Sequence, residues 1–215
     1  YPPSHDALVR ELQRRNPFIH STVMMRADVV AAVGGYRRFF LAAEDYDLWL
    51  RLCERGRIGN LTERLGGYRQ HAGSVTRRMA LRQAFSAALA RRCAAARRGG
   101  EPDPSEGLAE ALDFAAAPPD AGAFAAECRT FRALAFAEAA TFATRTPDAD
   151  DVAELVAIPG DAPDAGLAQM ALLNIVRHDA APPGFGRGRL VAALVAIDPA
   201  RALRLGGRAL VAGAD

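Results

Sequence analysis

Apolar residues along the first hundred positions recur in short runs of changing spacing, and each change marks a predicted element. In SHDALVRELQRR, residues 4–15, Leu8 and Leu12 lie one turn apart behind Ser4; this predicts a helix capped by Ser4 and broken at Asn16-Pro17-Phe18. The β-branched and apolar stretch IHSTVMMR, 19–26, predicts a strand, followed by a short helix in ADVVAAV that Gly34-Gly35 stops. AEDYDLWLRLCERG, 43–56, predicts a helix with an apolar face from about residue 44 to 55, ended by Gly56. LGGYRQH, 65–71, reads as a short strand or extended segment, and from about 76 to 98 Leu81, Phe85, Leu89 and Cys93 repeat every four positions on a long helix.

Beyond that helix, GGEPDPSEG at 99–107 has a linker's composition. Ala-rich helical patterns follow, separated by APPDAG, RTPDADD, IPGDAPDAG and DAAPPGFGRG; they predict a bundle of about five short helices with no strand signal. No internal repeat is firm enough to make a solenoid.

Composition narrows the class. Half of the 215 residues are hydrophobic, enough for a packed core, and the longest apolar run, LVAALVAI at 190–197, is too short to span a membrane. The chain opens at Tyr1 with neither an initiator Met nor a basic-then-apolar signal, which reads as a processed or truncated product. Its three cysteines, Cys53, Cys93 and Cys128, are widely spaced and odd in number, the pattern of reduced thiols in a cytoplasmic compartment, and no Cys/His cluster has zinc-site spacing. The net charge of +2 hides an asymmetry: 18 Arg against 8 acids in residues 1–100, 9 Arg against 17 acids in 101–215, and no Lys anywhere. The basic first half predicts an anionic ligand. With no aromatic interleaving and no binding motif, nucleic acid is excluded as a partner.

Glu44 and Asp45 open the 44–55 helix, where acids commonly serve the helix dipole and nothing else. Their context widens the choice. NPFIHSTVMMR at 16–26, VGGY at 33–36, AEDYDLWLR at 43–51 and GGYRQH at 66–71 follow one another in an order and at separations that resemble the C-terminal half of the catalytic domain in family 2 glycosyltransferases, which are inverting enzymes of the A-type fold. The resemblance implies an α/β fold, a partial A-type glycosyltransferase whose nucleotide-binding half is missing, followed by an all-α helical region. The corresponding divisions are 1–78 (acceptor side of the catalytic domain), 79–100 (basic connecting helix) and 101–215 (Ala-rich helices).

By the same resemblance Asp45 matches the general base that takes a proton from the attacking sugar hydroxyl, and Glu44 beside it orients the acceptor or the helix. His71, Arg69 and His20 fall on the donor and diphosphate side, with His71 also a metal ligand; Ser21, Gly35 and Tyr36 fall on the acceptor side. A divalent cation, Mn²⁺ or Mg²⁺, is implied, held mainly by residues outside this chain. The implied substrates are a nucleotide-diphosphate sugar and a glycan or lipid-linked acceptor. At a helix start the dipole favours ionised Asp45, making it a weak base that works by placement more than by a raised pKa. Trp49, on the helix's buried spacing with Tyr46 and Cys53, reads as core.

Asp45-Tyr46-Asp47 has the Asp-x-Asp metal-binding pattern but opens a helix instead of ending a hydrophobic strand, and Asp47 is spaced to pair with Arg51. The basic helix at 77–98 suits peripheral contact with an anionic inner-membrane face; its Ala-rich stripe without Trp favours packing on the preceding domain. The competing reading of the whole is a non-enzymatic helical scaffold, separable by whether alternating strands and helices, or more Ala-rich helices, are encoded upstream of Tyr1.

Overall fold

The computed structural model describes residues 3–63, 65–67, 79–114, 122–140, 149–162, 165–177, 181–182 and 185–197. The chain divides into two compact units, 1–112 and 113–215.

In the first unit, α1 (His5–Leu12), α2 (Ala27–Ala32), α3 (Glu44–Cys53) and α4 (Ala80–Arg98) are joined by irregular chain. Leu8 and Leu12 are fully buried where α1 packs on α3, and the Tyr46 hydroxyl donates to the Leu12 carbonyl. Ser4 occupies the N-cap position in extended conformation, but its hydroxyl makes no capping bond. Most of the stripe predicted on α4 forms: Phe85, Leu89 and Cys93 are buried, while Leu81 is only half-buried; the helix packs on α3, each large buried apolar side chain contributing about 1.5–3 kcal/mol. This burial occupies the helix's apolar face; Arg92 and Arg98 stay exposed.

The segment expected as a strand differs. Residues 20–22 form a 3-10 turn and 23–26 run on without regular structure. A strand is stable only in a ladder, and no strand occurs among the described residues to pair with it. Gly34 and Gly35 end α2 as expected, both in the left-handed region at φ 78° and 66°, a conformation costly for any residue with a Cβ.

The composition-defined linker is anchored. After Gly100 closes α4, Asp103 Oδ2 accepts from Arg37 Nη1 (3.0 Å) and Arg97 Nη1 (2.6 Å), while its Oδ1 accepts from the Ser105 amide (2.9 Å) and hydroxyl (2.7 Å). Gly and Pro signal irregular backbone, not independence, and the charges of Asp103 and the arginines bind this turn to the first unit, so the division falls after Leu112 rather than at residue 100. Burial alone would raise the Asp103 pKa; the Ser105 bonds and Arg37 outweigh it and hold the carboxyl well below the usual range. A depressed folded pKa stabilises above the unfolded value and is lost as pH falls. Asp103→Asn is expected to cost about 2 kcal/mol at pH 7 and progressively less below about pH 4, read from urea midpoints across pH.

The second unit packs α5 (Ala125–Ala140) on α6 (Ala149–Ala157) and α7 (Ala165–Arg177), with α8 (Arg187–Ile197) against α7. Phe124, Phe131, Leu155, Leu172, Ile175 and Leu190 form its core. Gln169, buried among them, donates to the Leu194 carbonyl at 3.2 Å and ties α7 to α8. The described residues hold four of the roughly five helices expected. No described helix is long and apolar enough to cross a membrane.

Candidate functional site

Asp45 stands at the second position of α3, and its two oxygens have different surroundings. Oδ1 accepts a 2.6 Å bond from the Tyr46 amide, serving the helix's open first turn. Oδ2 has looser company: Asn16 Nδ2 at 3.3 Å and His20 Nδ1 at 3.9 Å. One carboxylate thus serves the helix with one oxygen and leaves the other available for chemistry.

The break after α1 explains Asn16. Its Oδ1 accepts from the Phe18 amide at 3.0 Å, fixing the Asn-Pro-Phe turn, and its Nδ2 then reaches Asp45. The 3-10 turn that follows presents His20, whose Nε2 lies 2.8 Å from the Tyr36 hydroxyl; its ring centre is 5.5 Å from that of Tyr36 and 5.8 Å from that of Trp49, to which it stands nearly perpendicular. The resemblance put His20 on the donor side, Tyr36 on the acceptor side and Asp45 as base; in the structure His20 lies beside both of the others. Sequence reasoning missed Asn16, although the Asn-Pro pair was in view; the signal was a turn-forming amide, whose second hydrogen bond is invisible without the fold.

Asp45 also departs from the expected weak base. Burial raises its pKa above the ordinary 3.8, opposed by the Tyr46 amide, His20 and Asn16 and reinforced by the charge of Glu44. The helix start was expected to win; with the Asp45 side chain only 17% exposed, desolvation wins. A raised folded pKa destabilises the folded protein at neutral pH, and this cost vanishes as pH falls below the unfolded value.

Trp49 is core, 3% exposed, as its spacing indicated. Together with Phe18 it also lines a cleft of about 280 Å³ bounded by Val23, Met24, Leu52 and Ile58; Asp45, His20 and Tyr36 are not in its wall. Ser21 is exposed on the same 3-10 turn as His20. Gly35 contributes its carbonyl, which accepts from Arg51 Nη2 at 2.6 Å. Glu44 is half-buried, and its charge bears on both Asp45 and Tyr36. Arg69 and His71 lie outside the described residues.

Asp47 turns the other way, fully buried. It pairs with Arg51 as expected (Nη2 to Oδ2, 2.7 Å) and also with Arg37 (Nε to Oδ2, 3.0 Å), which the sequence did not reveal. Asp45-Tyr46-Asp47 therefore does not aim two carboxylates at one point. Among the described residues no group of three His, Cys, Asp or Glu side chains converges on a metal position. The side chains that act on Asp45 are the Asn16 amide, the His20 imidazole and the Glu44 carboxylate. All three cysteines are free, and burial pushes the Cys53 and Cys93 thiols up to about 11 and about 12, so they stay protonated.

Part of the chain is similar to known proteins. The sequence is 42% identical over 76 residues to the O-antigen biosynthesis glycosyltransferase WbnJ of Escherichia coli, covering 34% of this chain and 30% of that protein. It is 41% identical over 70 residues to the putative glycosyltransferase EpsE of Bacillus subtilis (31% and 25%), and 35% identical over 78 residues to the amylovoran biosynthesis glycosyltransferase AmsE of Erwinia amylovora (36% and 29%). Over about a third of its length the chain is thus homologous to bacterial glycosyltransferases, while it spans less than a third of the length of these relatives. No family model matches it, and no solved structure matches it significantly.

Proposed function

We propose that residues 1–78 are the acceptor side of a family 2, inverting glycosyltransferase of the A-type α/β fold, with Asp45 as general base. The acceptor hydroxyl gives its proton to Asp45 Oδ2 as its oxygen attacks the anomeric carbon. The bond from that carbon to the nucleoside diphosphate breaks, and the diphosphate leaves with the electron pair, so the configuration inverts. A carboxylate raised in pKa by burial is a better base than one at its ordinary value, which suits this step. The observation that carries the reading is the divided Asp45: one oxygen spent on α3, the other facing His20 and Asn16.

The donor is a nucleotide-diphosphate sugar and the acceptor a glycan or lipid-linked hydroxyl, in line with the polysaccharide pathways for which two of the relatives are named. A divalent cation, if used, is held by groups outside the described residues, and no step above runs through it. With the apolar face of α4 packed on α3, membrane contact by this helix rests on its exposed arginines alone, an electrostatic association at the cytoplasmic face. The test is transfer by the complete protein. Binding of a nucleoside diphosphate with Mn²⁺ or Mg²⁺ and formation of the inverted linkage are the expected results; a complete protein that binds no nucleotide would support the scaffold reading.

A further inference from the structure

The couple formed by His20 and Tyr36 has no role in the mechanism above, yet its geometry is directional. His20 Nε2 is occupied by the Tyr36 hydroxyl at 2.8 Å, and the other ring nitrogen, Nδ1, faces Asp45 Oδ2 at 3.9 Å. We propose that His20 is a positioning residue for Asp45 and that Tyr36 fixes its tautomer: the phenol donates to Nε2, so neutral His20 carries its proton on Nδ1, directed at Oδ2. This rests on the reading of Asp45 as the base.

Tyr36 is suited to donate. Burial, and then the charges of Asp45 and Glu44, raise its pKa, so the phenol keeps its proton throughout the neutral range. The opposite tautomer would set the Nδ1 lone pair against an anionic carboxylate, a repulsive arrangement. A separation of 3.9 Å is beyond a hydrogen bond, and such contacts commonly tighten when substrate enters. The Trp49 ring, nearly perpendicular to the imidazole with its centre 5.8 Å away, restricts the imidazole's rotation. The groups that face Asp45 are then Glu44 on its own helix, His20 on the 3-10 turn, Asn16 on the turn after α1 and the Tyr46 amide. Among the described residues that act on Asp45, His20 is the one whose side chain can carry a positive charge. Both ring residues are about half exposed, so their replacement leaves the core intact.

The experiment has a spectroscopic and a kinetic arm. Side-chain NMR on the isotopically labelled chain at pH 8 is expected to show His20 with its proton on Nδ1. Tyr36→Phe should abolish that preference, and His20→Gln should move the Asp45 titration upward, since the charge that opposes its rise is gone. In the complete transferase His20→Gln should lower kcat roughly ten- to a hundred-fold, with KM for both sugars unchanged. A proton on Nε2, or an Asp45 titration and kcat unmoved in His20→Gln, would overturn the proposal. Asp45→Asn reports separately: if it leaves transfer intact, the base assignment itself fails; if it abolishes transfer while His20→Gln does nothing, only the positioning role fails.

Discussion

Asp45→Asn in the complete protein is expected to reduce kcat by about 10²- to 10⁴-fold, the usual contribution of a positioned general base. The substitution keeps the shape, and the amide oxygen can still accept from the Tyr46 N–H, so α3 should start where it does now. What disappears is the buried charge. Because burial raises the Asp45 pKa in the folded protein, the carboxylate opposes folding at neutral pH, and the variant should unfold at a higher temperature than the parent at pH 7. That gain should shrink to nothing near and below pH 3.8, where the parent's own Asp45 is protonated. Activity lost together with stability gained, in one variant and with this pH dependence, separates a catalytic carboxylate from a structural cap. A cap would lose stability and keep its turnover. Thermal scans at several pH values beside an initial-rate assay decide between them.

The second large effect lies one turn further on. Asp47→Ala is expected to destabilise the first unit by about 3–5 kcal/mol, the range for removing one partner of a buried ion pair. Asp47 is fully buried between Arg37 and Arg51. Without it two guanidinium groups remain in a low-dielectric interior with too little negative charge to balance them, and among the described residues only Arg37 keeps an anionic partner, Asp103. Arg51 also donates to the carbonyls of Val33 and Gly35, so the ion pair holds the glycine turn that precedes Tyr36. The damage should therefore reach the site: at denaturant concentrations where the variant is still folded, the Tyr36 and His20 resonances should shift. Asp47→Asn, which keeps the volume and part of the hydrogen bonding, should cost less. Equilibrium urea unfolding of the three proteins, followed by the single Trp49, supplies the comparison; equal midpoints would show that the network adds nothing.

These two acids show how local sequence and tertiary structure share the work. Position 47 lies four residues before Arg51, so its role was legible from helical spacing alone; that Arg37 joins the pair, and that Asp103 binds Arg37 from 66 residues away, was not. Position 45 was legible only as a choice between a cap and a base. Backbone hydrogen bonding claims one oxygen wherever such an acid opens a helix, but the fate of the other depends on what the fold sets beside it. Here that is Asn16 and His20, from 29 and 25 positions earlier. The sign of the pKa shift followed the same rule: the helix dipole is a local property and could be anticipated, whereas desolvation is set by the whole surrounding chain.

By itself the sequence determined the helices of the first unit within a few residues, the stops at Asn16-Pro17 and Gly34-Gly35, most of the buried stripe of α4 and the likeness over part of the chain to glycosyltransferases. These follow from periodicity and backbone sterics, which act over a few residues. Tertiary structure alone decided that 20–22 would turn rather than pair as a strand, that the Gly- and Pro-rich segment after α4 would be tied to the first unit through Asp103, and that His20 would stand between Tyr36 and Asp45. Each of these depends on a partner far along the chain: a strand on its neighbour, a salt bridge on its counter-ion, a carboxylate's acidity on whatever excludes its water.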